Sequence, residues 1–310
     1  MKLTYATRRS ALALAQCRAF VARLKAAHPH LEMIEEQVVT TGDKIQDRPL
    51  SEVGGKGLFV KESEEALLER RADLAVHSIK DVPGVLPDGL FIACIPTRED
   101  ARDVLVAPKH GGLASLPQGA KVGTSSLRRA VSLRAARPDL VIVPMRGNVD
   151  TRLRKVDEGE CDAIVLARAG LVRLGLEARA TSVLEPEISL PAVGQGALGI
   201  ECRVDDASTR ALLTALHDEA TSRCVAAERG VMVALEGDCK TPLGAFGERR
   251  VLEGGTIELF LRAFICEPDG TNLRRGDDTV AWPASDDDAR IIGERLGGKL
   301  KAGSRGTMLR

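Results

Sequence analysis

Short apolar runs bounded by polar turns alternate along the chain with longer stretches of helical spacing, which is the pattern of α/β units. In the first third, Lys2–Ala6 predicts a strand, Ser10–Ala27 a helix, and Val38–Thr41 the end of a second strand. Leu58–Arg70 has helical spacing, Asp73–Ser78 is a short run of buried-strand type, and Phe91–Ile95 continues the sheet. Pro96-Thr97-Arg98-Glu99-Asp100 is polar and reads as a crossing between domains. The alternation then restarts. Strands are expected at Val104–Ala107, Lys121–Gly123, Leu140–Val143 and Ala163–Leu166, with helices beginning near Ser125 and Asn148. The Gly-rich segment Pro191–Gly199 reads as a second crossing, followed by a strand at Ile200–Val204 and a helix at Thr209–His217. From about residue 219, a third region is expected to hold a helix up to Glu236, strands around Ile257–Ile265 and a last helix near Asp288–Lys301. Two α/β units linked by two crossings predict a cleft of the kind in which ligands commonly sit.

Composition narrows what such a cleft would hold. At 310 residues with 44% hydrophobic side chains, the chain is long enough for two or three domains with real cores. Lys plus Arg equals Asp plus Glu at 44 each, so any anion site must arise from local clustering and not from a global field. Aromatics make up 3%, too few for base-stacking platforms, which argues against a nucleic-acid partner. The seven cysteines are scattered without a CxxC pair, and neither they nor the five histidines have metal-ligand spacing. This usage predicts reduced thiols in a cytoplasmic protein and no metal. Thr7-Arg8-Arg9-Ser10 before Ala11-Leu12-Ala13-Leu14-Ala15 looks like a twin-arginine signal, but Gln16 and Arg18 interrupt the apolar stretch. An amphipathic helix of the mature protein is expected there, and no segment approaches transmembrane length.

The positions of the arginines are the most informative chemical feature. Thr7-Arg8-Arg9-Ser10 follows a strand and opens a helix, and so does Gly123-Thr124-Ser125-Ser126-Leu127-Arg128-Arg129. Arg146-Gly147-Asn148 leads into a third helix start, with Arg152 and Arg154 close behind. Helix N-termini carry partial positive charge, so cations there are unfavourable unless an anion is bound. One such helix would be read as solvated or paired on the surface; three predict a polyanionic ligand, which arginine grips through paired N–H bonds. Two nucleotide-binding look-alikes fail. Gly194-Gln195-Gly196-Ala197-Leu198-Gly199 spells GxGxxG, but Pro191 precedes it and a strand pattern follows. Gly54-Gly55-Lys56-Gly57 lacks the first glycine and the Ser/Thr of a phosphate loop, and reads as a flap.

Taken in order, Ala6-Thr7-Arg8, Val53–Phe59, His77-Ser78-Ile79-Lys80-Asp81-Val82-Pro83, Gly123–Arg129, Arg146-Gly147-Asn148, Ala192–Gly199 and Leu235-Glu236-Gly237-Asp238-Cys239 resemble the porphobilinogen deaminase (hydroxymethylbilane synthase) family. The resemblance runs from about Leu3 to Ala245. It implies an α/β fold of three domains, the first two similar to the lobes of bilobal type-2 periplasmic binding proteins and the third a small α+β domain. The expected bounds are 1–96 plus 197–214, 102–190, and 219–310 for the domain that anchors the cofactor. It further implies a transferase that joins four porphobilinogen molecules head to tail into hydroxymethylbilane on a covalent dipyrromethane cofactor, held by a thioether to Cys239. By the family's pattern Asp81 is catalytic, stabilising charge that develops as ammonia leaves the pyrrole. Lys80, Ser126, Arg128, Arg129 and Arg152 map to the cofactor's carboxylates. Arg8, Ser10, Gln16, Arg146, Arg173 and Gln195 map to incoming substrate, and Lys56 to the flap. A monomer with a small-molecule substrate and no membrane partner is expected. Two departures stand out: Glu52 where relatives often carry lysine, and Asp238 in place of the glycine before the cysteine. A non-catalytic bilobal polycarboxylate-binding protein would account for the arginines but give no role to Cys239 or Asp81. A phosphate-ester enzyme would require a metal cluster or an intact phosphate loop.

Overall fold

The computed structural model describes residues 1–40, 57–237 and 241–303. These form two compact units, one of 1–99 with 197–222, the other of 100–196 with 223–310.

The first unit is built on a five-stranded sheet in the order β2-β1-β3-β10-β4, from Lys2–Arg8 (β1), Glu32–Val38 (β2), Leu74–Ser78 (β3), Leu90–Cys94 (β4) and Leu198–Arg203 (β10). β1 pairs in parallel with β2 and β3, whereas β10 runs antiparallel between β3 and β4. Side chains alternate across the sheet. Leu3, Tyr5, Leu74, Val76, Ile200 and Cys202 pack on one face with Cys17, Phe20 and Leu24 of α1 (Ala11–Ala27) and Leu213 of α6 (Ala207–Leu213). Ala6, Val38, Ala75 and Leu90 pack on the other with Ala66 and Leu67 of α2 (Lys61–Leu68). The segment with a signal-like start is therefore an integral core helix, capped by Ser10, whose hydroxyl accepts from Ala13 N at 3.3 Å.

The second unit repeats this plan. Its sheet runs β7-β6-β8-β5-β9, from Asp103–Val106 (β5), Lys121–Gly123 (β6), Val141–Val143 (β7), Ala163–Ala167 (β8) and Ser182–Leu184 (β9). Three parallel strands are again followed by one antiparallel strand, here β5. Val104 and Val106 face a core closed by α4 (Val149–Asp157), and Leu105 faces one that contains Leu133 of α3 (Leu127–Ala136). In each sheet the antiparallel strand is the one the chain enters directly from a crossing, β5 after 96–102 and β10 after 191–197. α5 (Arg168–Arg173) follows β8.

The same unit carries a three-stranded antiparallel sheet, β11 (Leu243–Val251), β12 (Ile257–Ile265) and β13 (Arg274–Ala281), covered by α7 (Glu219–Ala234) and α8 (Asp286–Lys301). Phe264 of this sheet and Cys266 just after β12 pack with Val131 and Leu190, so the two sheets share a small core. The Glu228 carboxylate ties them as well, accepting from Gly194 N at 2.6 Å and Gly247 N at 2.9 Å. β9, β11 and β13 are not expected from the sequence pattern. β13 reads Arg-Arg-Gly-Asp-Asp-Thr-Val-Ala and alternates intermediate with exposed positions, so it lacks the apolar stripe by which a strand is recognised. The second strand, expected to end at Thr41, lies earlier, at Glu32–Val38, because its register follows β1 residue by residue from Lys2↔Glu32 to Arg8↔Val38.

Candidate active site

In the first unit, β3 ends at Ser78 and a single 3-10 turn, Ile79–Asp81, follows. Ile79 is buried and anchors the turn, and its N–H donates to Ala197 O at 3.1 Å. A Cβ at Gly199, on neighbouring β10, would collide with the Ile79 side chain, so the third glycine of the GxGxxG string serves this close approach and not a phosphate. The anchored turn leaves Lys80 exposed and Asp81 half-buried. Among the described residues the Asp81 carboxylate accepts no hydrogen bond and forms no ion pair. On the same sheet, Arg8 ends β1 with its guanidinium 4.4 Å from the centre of the Phe59 ring. Ser10 is spent on its helix cap, and buried Gln16 accepts from Ser78 Oγ at 3.0 Å.

In the second unit, Gly123 ends β6, and hydroxyls organise the turn that follows. Thr124 Oγ1 accepts from Ser126 N at 3.1 Å, while Ser125 Oγ exchanges bonds with Met145 O and N at 3.0 and 3.1 Å. Ser126 caps α3, accepting from Arg129 N at 3.4 Å, and its own hydroxyl hydrogen remains available to an acceptor. α3 has no acid in its first turn, in contrast to α8, which opens Asp286-Asp287-Asp288. Arg128 and Arg129, only 5% and 7% exposed, instead find a carboxylate elsewhere. Asp103, at the start of β5 and fully buried, accepts from Arg128 Nη1 at 2.8 Å, from Arg129 Nε and Nη2 at 3.1 and 2.7 Å, from Ser189 Oγ at 2.8 Å and from Gln195 Nε2 at 2.9 Å. Burial alone would raise the Asp103 pKa, but the two guanidiniums hold it well below the ordinary carboxylate range. Part of the anion that these helix-start arginines require is thus supplied by the chain itself.

One carboxylate does not balance the arginines gathered there. Arg152, on α4, has its pKa lowered to about 10 by desolvation and by the charges of Arg129 and Arg146. The Arg152 Nε donates to Gly147 O at 2.8 Å. Gly147 has φ +112°, and a Cβ there would lie 2.8 Å from Thr151 Cγ2, so the Arg146-Gly147-Asn148 turn needs glycine at its centre. Arg146 Nη1 is buried with no hydrogen-bond partner. Arg173 Nη2 donates to Gly196 O at 2.5 Å. The four guanidiniums of Arg128, Arg129, Arg146 and Arg152 therefore gather with one unit of internal negative charge, that of Asp103, an arrangement that favours bound carboxylates.

Of the residues expected from the sequence, the second unit brings Ser126, Arg128, Arg129, Arg146 and Arg152 together. Gln195, at 1% exposure, sits in the Asp103 network, bonding also to Ala101 O at 2.6 Å. Cys239, Asp238, Lys56 and Glu52 lie outside the described residues. Cys17, Cys94, Cys161, Cys202, Cys224 and Cys266 are all buried. Burial pushes the Cys17, Cys94 and Cys202 thiols up to about 12 and Cys266 to about 11, so they are poor nucleophiles. Asp103 and Ser189 are missing from the sequence-based site. The one signal for Asp103 is an acid directly before the apolar run Val104-Leu105-Val106, and it is masked by the polar residues of the crossing.

The family model described as porphobilinogen deaminase, dipyromethane cofactor binding domain, matches residues 3–211, and that described as porphobilinogen deaminase, C-terminal domain, matches residues 222–302. A porphobilinogen deaminase from Sorangium cellulosum (strain So ce56) is 62% identical over 302 residues, 97% of this chain and 99% of that one. Two solved structures are also similar. The VFT2 domain of Bordetella pertussis BvgS matches with TM-score 0.42 at 15% identity, covering 74% of this chain and 91% of that one. The alkanesulfonate-binding protein SsuA of Xanthomonas axonopodis pv. citri matches with TM-score 0.37 at 12% identity, covering 75% and 74%. With both family models matched in order across nearly all of its length, the chain belongs to the porphobilinogen deaminase family.

Proposed function

We propose that this chain carries out its family's reaction with Asp81 as the catalytic carboxylate and Cys239 as the covalent anchor. The reaction deaminates four porphobilinogen molecules and joins them head to tail into hydroxymethylbilane on a dipyrromethane cofactor. The observation that carries the assignment of the binding residues is the convergence of Arg129, Arg146 and Arg152 without a matching number of acids. A dipyrromethane, when bound, supplies the pyrrole position to which the first substrate is joined and several carboxylates. Arg128, Arg129 and Arg152, with Ser126 as a neutral donor, suit those carboxylates, and Lys80 is assigned to them as well. Arg8, Arg146 and Arg173 serve the carboxylates of incoming substrate, and Ser10, Gln16 and Gln195 hold the backbone and side chains around them in place.

Asp81 meets the requirement of the chemical step. Positive charge grows on a pyrrole as ammonia leaves, and an anion beside the pyrrole N–H stabilises the transition state more than the ground state. A carboxylate already saturated by protein donors would be less able to respond, and Asp81 has none among the described residues. The buried state of the six other cysteines supports Cys239 as the nucleophile, and it also supports a reducing, cytoplasmic setting. No described helix is long and apolar enough to cross a membrane. A monomer with domains at 1–96 plus 197–214, 102–190 and 219–310 completes the reading.

Intact-protein mass spectrometry tests it. The parent is expected to be heavier than its sequence by two pyrrole units, and Cys239→Ser to lack that mass and all turnover. An adduct retained in Cys239→Ser would move the anchor to another residue. A parent without any adduct would favour a non-catalytic polycarboxylate binder.

A further inference from the structure

We propose that Asp103 is a positioning residue that takes up the bidentate edge of Arg129 and the tip of Arg128, leaving the Arg128 Nε–Nη2 edge and one unit of positive charge for a ligand carboxylate. The proposal rests on the reading that these arginines serve an anionic primer, and it divides their labour in a way the sequence does not. The hydrogen-bond geometry carries it. Arg129 turns both Nε and Nη2 onto Asp103 Oδ1 and spends Nη1 on Val165 O at 3.2 Å. Its bidentate edge is therefore occupied from within the chain, and what Arg129 offers a cofactor carboxylate is its charge and not that edge. Arg128 is held by one nitrogen only: Nη1 reaches Asp103 Oδ2 at 2.8 Å, Leu190 O at 2.6 Å and Ser189 Oγ at 3.4 Å. Its Nε and Nη2 make no hydrogen bond among the described residues, and neither is a sealed, unpartnered atom like Arg146 Nη1. An open Nε–Nη2 edge is the side of a guanidinium that pairs with both oxygens of a carboxylate.

Charge makes the same division. Two buried cations against one buried anion leave a net +1 in a region of low dielectric, which is costly until a further anion arrives. Without Asp103 the excess would be +2 and the apoprotein would be penalised before any ligand bound. With a second internal acid the excess would vanish, and so would the attraction for a carboxylate. Ser189 Oγ and Gln195 Nε2, which complete the shell of Asp103, fix its orientation and so the direction of both arginines.

The test compares Asp103→Asn with the parent, both in a Cys239→Ser background so that no primer is present, by thermal melting with and without inorganic sulfate at matched ionic strength. Breaking a buried ion pair is expected to lower the Tm by on the order of 10 °C. Sulfate should restore more of this loss than it adds to the parent, because the variant holds the larger excess charge. Adding Arg129→Met to Asp103→Asn returns the excess to +1 and should recover stability without sulfate. Equal sulfate responses in the two proteins, or a double variant no more stable than the single one, would overturn the proposal and leave Asp103 a packing residue. If Asp103→Asn does not accumulate in folded form, a folded double variant supports the proposal and an unfolded one overturns it. Absence of an adduct on Cys239 in the parent would sink the functional reading alone, since the sulfate comparison is made without primer.

Discussion

Asp81 and Asp103 are both aspartates beside the end of a core strand, and both bear on the reaction proposed above. One follows β3 on a short turn, half-buried and without a protein donor among the described residues. The other opens β5, fully buried and surrounded by five donor atoms from Arg128, Arg129, Ser189 and Gln195. The difference separates two uses of a negative charge. A carboxylate with saturated oxygens stabilises what is already there, while one left unsaturated remains available to charge that appears only during a reaction.

The largest expected effect comes from removing the available charge. Asp81→Asn keeps the shape of the side chain and should lower turnover by roughly 10²–10³, the scale of deleting one preorganised electrostatic partner. Because no partner is lost, its melting temperature should stay close to that of the parent, opposite to Asp103→Asn. Single-turnover mixing should show porphobilinogen bound but ammonia released slowly, with Asp81→Glu retaining more activity than the amide. Turnover within a few-fold of the parent would return Asp81 to the role of a turn residue.

The two aspartates also differ in how legible they are. Asp81 stands in His77–Pro83, an apolar strand run ending in a polar turn, and both the strand and the family motif point to it. Asp103 belongs to a polar run, Arg98-Glu99-Asp100-Ala101-Arg102-Asp103, in which only the apolar run that follows tells the buried acid from exposed Glu99 and half-buried Asp100. Its partners lie 25, 26, 86 and 92 residues away. Helix starts were legible for the same reason as Asp81: Ser10 and Ser126 cap α1 and α3 from their own first turns. Where partner choice is tertiary, as for Arg128 and Arg129, the sequence shows the need for an anion but not which one meets it.

A smaller effect sharpens the comparison from the side of the cations. Arg152 has a depressed pKa of about 10, so its charge costs folding free energy at every pH below that value. Arg152→Met should raise the melting temperature of primer-free protein by a few degrees while reducing the fraction that carries primer, read by mass. A variant both less stable and fully loaded would contradict the crowding of like charge.

The smallest effect concerns a third carboxylate, Glu64 on α2, whose pKa is raised to about 7 by burial and by the charge of Glu201, opposed by His77. His77 Nε2 and Glu201 Oε2 lie 2.9 Å apart. A carboxyl whose folded pKa lies above its unfolded value contributes stability that is complete below about pH 4.5 and is lost as pH rises through about 7. Glu64→Gln should therefore match the parent near about pH 5 and melt a few degrees higher near about pH 8. Parallel melting curves across that range would show that Glu64 titrates in its ordinary range.

The repeated strand order has a consequence for how the chain comes into being. β10 fills the slot between β3 and β4, yet roughly 100 residues separate Cys94 from Leu198, which at ribosomal speeds of 5–20 residues per second is about 5–20 s of synthesis. Through that interval the amino-terminal sheet has its parallel strands in hand but lacks the one that joins β3 to β4, leaving two open edges. The second sheet does not wait in this way, since β5 emerges before its neighbours β8 and β9. The nascent chain therefore has every strand of its second five-stranded sheet before it returns to close the first. Its first hundred residues are, for those seconds, the part of the molecule most in need of protection from other chains.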